Sequence, residues 1–148
     1  MTLEAFLAAF HLVAILTFVV FLSSQAALCR MEWMNAAVVE RLARLDVIYG
    51  VAAVLMIASG IARLIWGIKG ASWYLSQPMF HIKITLLVVM AILSIWPSII
   101  YRRWRHNLRA TGSMPDELEV KKVRRLVMIQ AHGLPVVAVI AVFWARGW

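Results

Sequence analysis

A single cysteine in 148 residues leaves no partner for an internal disulfide, and no set of thiols for a cysteine-built zinc or iron–sulfur site. Cys29 reads as a small residue at a helix end. Charge is scarce as well: 15% of the chain is Asp, Glu, Lys or Arg, with 7 acidic residues against 15 basic ones. G-x-S-x-G, H-E-x-x-H and a phosphate-binding glycine loop are all missing, which excludes the hydrolase, zincin and P-loop readings that those patterns carry. The sequence has no low-complexity tract and no strong internal repeat.

What is present in abundance is apolar surface. Hydrophobic residues make up 64% of the chain and the mean hydropathy is +0.84, more than a soluble domain of this size can cover. A bilayer core takes about twenty apolar residues per helix, and four runs reach that length: residues 3–27, 47–67, 79–100 and 126–145. The expected fold is an all-α integral membrane protein, one four-transmembrane-helix bundle over residues 1–148. The first run exceeds a typical signal-peptide core and lacks a basic n-region and an A-x-A-like cleavage site, so it reads as a retained helix.

The net charge of +8 would suggest nucleic acid in a soluble protein, but its distribution points elsewhere. Arg30, Arg41 and Arg44 lie in the first connection; Arg102, Arg103, Arg105, Arg109, Lys121, Lys122, Arg124 and Arg125 lie in the third. The positive-inside rule places these connections in the cytoplasm, with both termini and the middle connection outside. The cations then face anionic headgroups, and no nucleic-acid partner is needed.

Between spans, "MEWMNAAVVERLARL" predicts a short helix lying in the inner interface, anchored by Trp33. Asp46 falls where an acidic residue favours the N-terminus of the second span, and Gly67 and Gly70 mark its end. Trp66, Trp73 and Tyr74 sit at headgroup level, and Pro78 suits the first turn of the third span. Pro97 is expected to kink that span near its inner end. "NLRATGSMPDELEV" reads as a loop in which Asp116, Glu117 and Glu119 are solvated. His132, Gly133 and Pro135 predict a local break in the fourth span.

The second span carries a stripe of Asp46, Tyr49, Ala53, Met56, Gly60 and Arg63, which should face other helices. Tight packing through Gly50, Ala53 and Gly60 and a functional groove both fit that stripe. Arg63 can snorkel to headgroups or meet an anionic partner. His81 and Lys83, two positions apart, project about 200° apart; Lys83 aligns with Met90, Ser94, Pro97 and Tyr101, while His81 shares its side with Thr85 and Val88. As a pair they can also be interfacial anchors.

His11 lies roughly 12 Å below the outer end of the first helix at 1.5 Å per residue, too deep for imidazole to snorkel. His132 lies about two turns inside the fourth span, with Met128 on its face, whereas His106 sits in the basic stretch and reads as solvated. Intramembrane histidines are candidate functional groups, and neutral imidazole suits haem iron, copper or a proton relay. A b-type haem could take His11 with His81 or His132 as ligands, and Arg63 and Lys83 against its propionates. The axial offset between His11 and His81 is about 7 Å if the outer helix ends are level. Hydrogen bonding across helices accounts for the same histidines without a cofactor. The absence of C-x-x-C-H excludes covalent c-type haem.

Several short patterns recur together: D-x-x-Y-G at Asp46, Tyr49 and Gly50; G-x-x-R at Gly60 and Arg63; K-G at Lys69 and Gly70; F-H-x-K from Phe80 to Lys83; S-I-x-P from Ser94 to Pro97; and a closing A-R-G from Ala145 to Gly147. With His11, they make the chain resemble a bacterial membrane family, domain of unknown function 2214. His132 is not part of that pattern. The family in turn looks distantly related to HemJ-type protoporphyrinogen oxidases and copper-resistance D proteins, which share a first-helix histidine and a lysine entering a later helix. The HemJ resemblance implies haem b and porphyrinogen oxidation, carried over to His11 and Lys83; the copper-resistance resemblance implies metal passage. Met56, Met79 and Met90 are scattered rather than clustered as copper passage would want.

The expectation is therefore a membrane redox protein binding haem b through His11 and His81 or His132. Arg63 and Lys83 would hold porphyrin carboxylates, and a quinone would accept electrons. The alternative is a non-enzymatic transporter component or small subunit, in a homo-oligomer or a larger membrane complex.

Overall fold

The computed structural model describes residues 2–67 and 70–145, with side chains through residue 143 apart from position 70. Lys69 of the K-G pattern and Arg146 and Gly147 of the A-R-G pattern lie outside the described residues. Helix α1 spans Leu3–Leu28, and a 3₁₀ turn follows at Met31–Trp33. Then come α2 over Ala36–Trp66, the short α3 over Gly70–Leu75, α4 over Pro78–Thr111 and α5 over Glu117–Ala145. Four of these helices are long and apolar enough to cross a membrane, and among the described residues there is no strand. The protein is an all-α, multi-pass membrane bundle.

Helix ends follow local chemistry. Asn35 caps α2 by accepting from the Val38 amide at 3.0 Å, satisfying one of the amides a helix start leaves open. Pro78 opens α4, where its missing N–H costs nothing. Gly112 closes α4 in the left-handed conformation, φ 71°, with its amide bonded to Leu108 O, a backbone state glycine adopts without a Cβ penalty. Asp116 accepts from the Leu118 amide at 3.0 Å at the start of α5.

Three helices differ from the sequence expectation in length. The segment expected to lie flat in the interface is the first part of α2, which begins at Ala36 rather than near residue 47. The reason is spacing: Val39, Leu42, Ala43 and Asp46 recur every three to four residues and are all buried, so the amphipathic face enters the bundle instead of the lipid boundary. Asp46 is thus an interior residue of α2, not an N-terminal one. Likewise α4 continues past Ile100 to Thr111, burying Tyr101 and Trp104, and α5 starts at Glu117 with Val120, Val123 and Val127 buried. The expected loop contracts to residues 112–116. Helix α5 runs unbroken through His132, Gly133 and Pro135.

At 1.5 Å per residue the 31 residues of α2 reach about 46 Å and the 34 of α4 about 51 Å, against a hydrocarbon core of roughly 30 Å. Both overshoot the membrane at the end that carries the arginines, called the basic end below. There the overshoots pack with the end of α1: Cys29, Val39, Leu42, Tyr101, Trp104, Val120 and Val123 belong to one buried cluster. Trp104 Nε1 donates to Glu119 Oε2 at 2.5 Å, and Arg103 pairs with the same carboxylate. Burial pushes the Cys29 thiol up to about 11.

Around the bundle α1 contacts α2 and α5, and α4 contacts α2 and α5, so the helices form a four-sided ring in chain order. Leu3, Phe6, Phe10, Leu12, Val13 and Leu16 on α1 are exposed and present the apolar surface that lipid takes in place of water. Burial concentrates toward the basic end: the buried residues of α1 are Ala14, Phe18, Leu22, Gln25 and Ala26, none in its first eleven positions. The opposite end is more open.

Candidate functional site

In that open half, His11 of α1 lies against Gly60 of α2. A Cβ on Gly60 would stand 3.4 Å from His11 Cε1, so the glycine lets the imidazole lie directly on the α2 backbone. His11 Nδ1 is 2.7 Å from Ser59 Oγ. Ser59 Oγ is also 2.7 Å from Leu55 O and 3.0 Å from Met56 O. Carbonyl oxygens only accept, so the single hydroxyl hydrogen is directed to its own helix, and the serine oxygen is left to accept from His11. That assigns the proton to Nδ1 and leaves Nε2 with a lone pair.

Two cations share the neighbourhood. The charges of Lys83 on α4 and Arg63 on α2 both bear on His11, and Arg63 bears on Lys83. Lys83, Arg63 and His11 are each half-buried. Helices α1, α2 and α4 therefore bring one imidazole, one guanidinium and one ammonium to one place, with no carboxylate among the charges acting on His11. Such a set favours a ligand offering an electron-pair acceptor and negative charge together.

The other histidines are placed apart from this group. His81, in the first turn of α4, is exposed and its Nε2 is 2.8 Å from Leu75 O at the end of α3; its ring stands edge-on to Phe80, centroids 5.8 Å apart. A carbonyl partner means that Nε2 donates there. His132 is exposed on α5 and its Nδ1 donates to Met128 O, one turn back on its own helix, at 2.7 Å. Among the described residues no group of three or more His, Cys, Asp or Glu side chains could hold a metal ion. Of the five residues expected to bind a cofactor, the structure gathers His11, Arg63 and Lys83 and leaves His81 and His132 elsewhere.

Ser59 was not legible as a site residue, since a serine in an apolar helix most often bonds its own backbone. Its one available signal was position: it adjoins Gly60, the small residue of the α2 stripe. Gln130 is a second polar residue that gave little sign of itself, buried at 1% exposure in the middle of α5.

No curated protein and no solved structure matches the chain. A family model does, over residues 3–148, and its description is "Predicted membrane protein (DUF2214)". The chain belongs to that family.

Proposed function

We propose that this family member is a multi-pass protein of the bacterial inner membrane that binds haem b in the open half of its bundle and works in electron transfer. In this reading the basic end lies in the cytoplasm and both termini lie outside, as the positive-inside rule directs. The observation that carries it is the Ser59 hydrogen-bond pattern, which leaves His11 Nε2 as the free lone pair. A ligating histidine characteristically donates its other ring N–H to a fixed acceptor, which sets tautomer and ring orientation.

The residues present fit the group in two respects. His11 would hold the iron through the Nε2 lone pair, and Arg63 and Lys83 would supply charges for the two propionates. His81 and His132 are exposed, whereas His11 is half-buried beside both cations, so His11 is the single protein ligand in this proposal. Bound haem would supply one-electron exchange at iron. The protein's share is to orient the imidazole through Ser59, to keep the ring close to α2 through Gly60, and to offset carboxylate charge where lipid would penalise it. The finer extension is HemJ-like oxidation of a porphyrinogen with a quinone as electron acceptor; the same two cations would grip the substrate's carboxylates.

The test is a visible spectrum of the protein purified in mild detergent, oxidised and dithionite-reduced, with a pyridine haemochrome assay. Near-stoichiometric haem, lost in His11→Ala and kept in His81→Ala and His132→Ala, is the expected result. A protein that stays colourless after haem is added refutes the proposal. A second reading would then stand, a small subunit of a larger membrane complex or transporter, favoured by the sparse burial of α1 in this half.

A further inference from the structure

At the opposite end of α2 lies a polar layer that the haem reading does not use. Asp46 is 4% exposed, and its Oδ1 accepts from Ser98 Oγ at 2.7 Å across the α2–α4 seam. One turn further along α2, the Tyr49 hydroxyl donates to Gln130 Oε1 on α5 at 3.0 Å, with Ser94 also against that hydroxyl. Ser94 and Ser98 are one turn apart on α4, so they share a face. Pro97 between them lacks an N–H and deprives the carbonyl of Leu93 of its helical donor. Three helices thus contribute to one buried hydrogen-bonding layer.

Charges around Asp46 are few. From α4, Arg102 and Tyr101 bear on it; from α2 itself, Tyr49 does; α5 reaches the layer through the uncharged Gln130. No ion pair joins Asp46 to a cation among the described residues. Tyr101, on which Asp46 bears, has a buried hydroxyl with no hydrogen bond. Tyr101 is fully buried and lies against Cys29 outside hydrogen-bond geometry. Buried groups left in this state commonly mark a site completed by water or an ion, and a carboxyl inside a bundle without a paired cation is a candidate proton-handling group.

We propose that Asp46 is a proton-exchange site of the bundle, taking up and releasing a proton between its carboxyl and water at the basic end. A proton suits the layer better than a metal ion. The Ser98 hydroxyl, already bonded to the carboxyl, can donate to a carboxylate or accept from a carboxylic acid, whereas the nearby Arg102 guanidinium opposes a second cation. Access lies along the α2–α4 seam, where Ser98 is half-buried and Arg102 exposed. In each cycle the proton leaves a water at that edge, binds a carboxylate oxygen of Asp46, and returns the same way. The inference does not rest on haem, since Tyr49 and Ser59 are ten residues, about 15 Å, apart along α2.

Infrared difference spectra of the full chain in lipid nanodiscs, recorded between acid and alkaline buffer in H₂O and in D₂O, test the proposal. The expected result is a protonated-carboxyl C=O band that is reversible with pH, shifts in D₂O and is lost in Asp46→Asn. Ser98→Ala, which leaves the carboxyl in place and removes the hydrogen bond it accepts, should displace that band. Superimposable spectra of the parent and Asp46→Asn would overturn the proposal. If Asp46→Asn does not fold, a band unmoved in Ser98→Ala would overturn it as well.

Discussion

Replacing Ser59 by Ala separates the stability of the bundle from the chemical state of its histidine. The substitution removes one hydrogen bond between α1 and α2, His11 Nδ1 to Ser59 Oγ at 2.7 Å. A neutral bond contributes about 0.5–1.5 kcal/mol net in proteins generally, and between membrane helices about 0.6 kcal/mol on average. Alanine is the better helix former by up to about 0.5 kcal/mol, so the two changes nearly offset. Unfolding free energy should therefore move by less than about 1 kcal/mol. The tautomer should move more visibly, because a bond of about 1 kcal/mol biases two otherwise similar states about fivefold. Long-range ¹⁵N–¹H correlation of the imidazole in detergent micelles reads this directly. The parent should show protonated Nδ1 and unprotonated Nε2, and Ser59→Ala should shift population to the Nε2–H form. If haem binds, its affinity should fall about 10- to 100-fold, the usual effect of losing a ligand-orienting partner. A parent already in the Nε2–H form, or a ratio unchanged by the substitution, would refute the argument from Ser59.

Other outcomes follow from single contacts. Gly60→Ala should be tolerated, since its methyl would meet His11 Cε1 at 3.4 Å, an ordinary contact, whereas Gly60→Leu should drive α1 from α2 and lower the melting temperature in detergent. Leu42→Ala, at a fully buried position, should cost about 2–5 kcal/mol of unfolding free energy in a denaturant titration. Cys29, buried and held near 11, should carry about 100-fold less thiolate than an ordinary cysteine at pH 8. It should therefore resist a thiol reagent until the protein is denatured; fast labelling of the native protein would contradict its placement. Glu40→Gln removes the carboxylate that Arg109 grips at 2.6 and 2.8 Å, yet should leave thermal stability unchanged, because the pair is exposed and water already screens it.

The membrane class and the four spans were legible in the sequence because each rests on a local sum, the apolar length within one segment. The Gly60–Arg63 spacing on α2 and the position of Lys83 at the head of α4 were legible for the same reason, being matters of one helix at a time. Partnership was not. His11, His81 and His132 have similar standing as intramembrane imidazoles, and only packing shows that α1 sets His11 on Ser59 while the other two bond the last carbonyl of α3 and their own helix.

Helix length divides in the same way. Hydropathy stops at the edge of the apolar run, so Asp46 looked like the start of α2. The real start, Ala36, depends on Val39, Leu42 and Ala43 finding α1, α4 and α5 to bury against, a free-energy gain between helices that a single segment does not reveal. That extension makes Asp46 a buried carboxyl under Ser98 instead of a solvated helix cap. The sequence by itself determined that the chain is a four-span membrane bundle with one basic end. The tertiary structure decided which polar groups meet, because hydrogen bonds and charges act between side chains that lie far apart along the chain, 48 residues for His11 and Ser59 and 52 for Asp46 and Ser98.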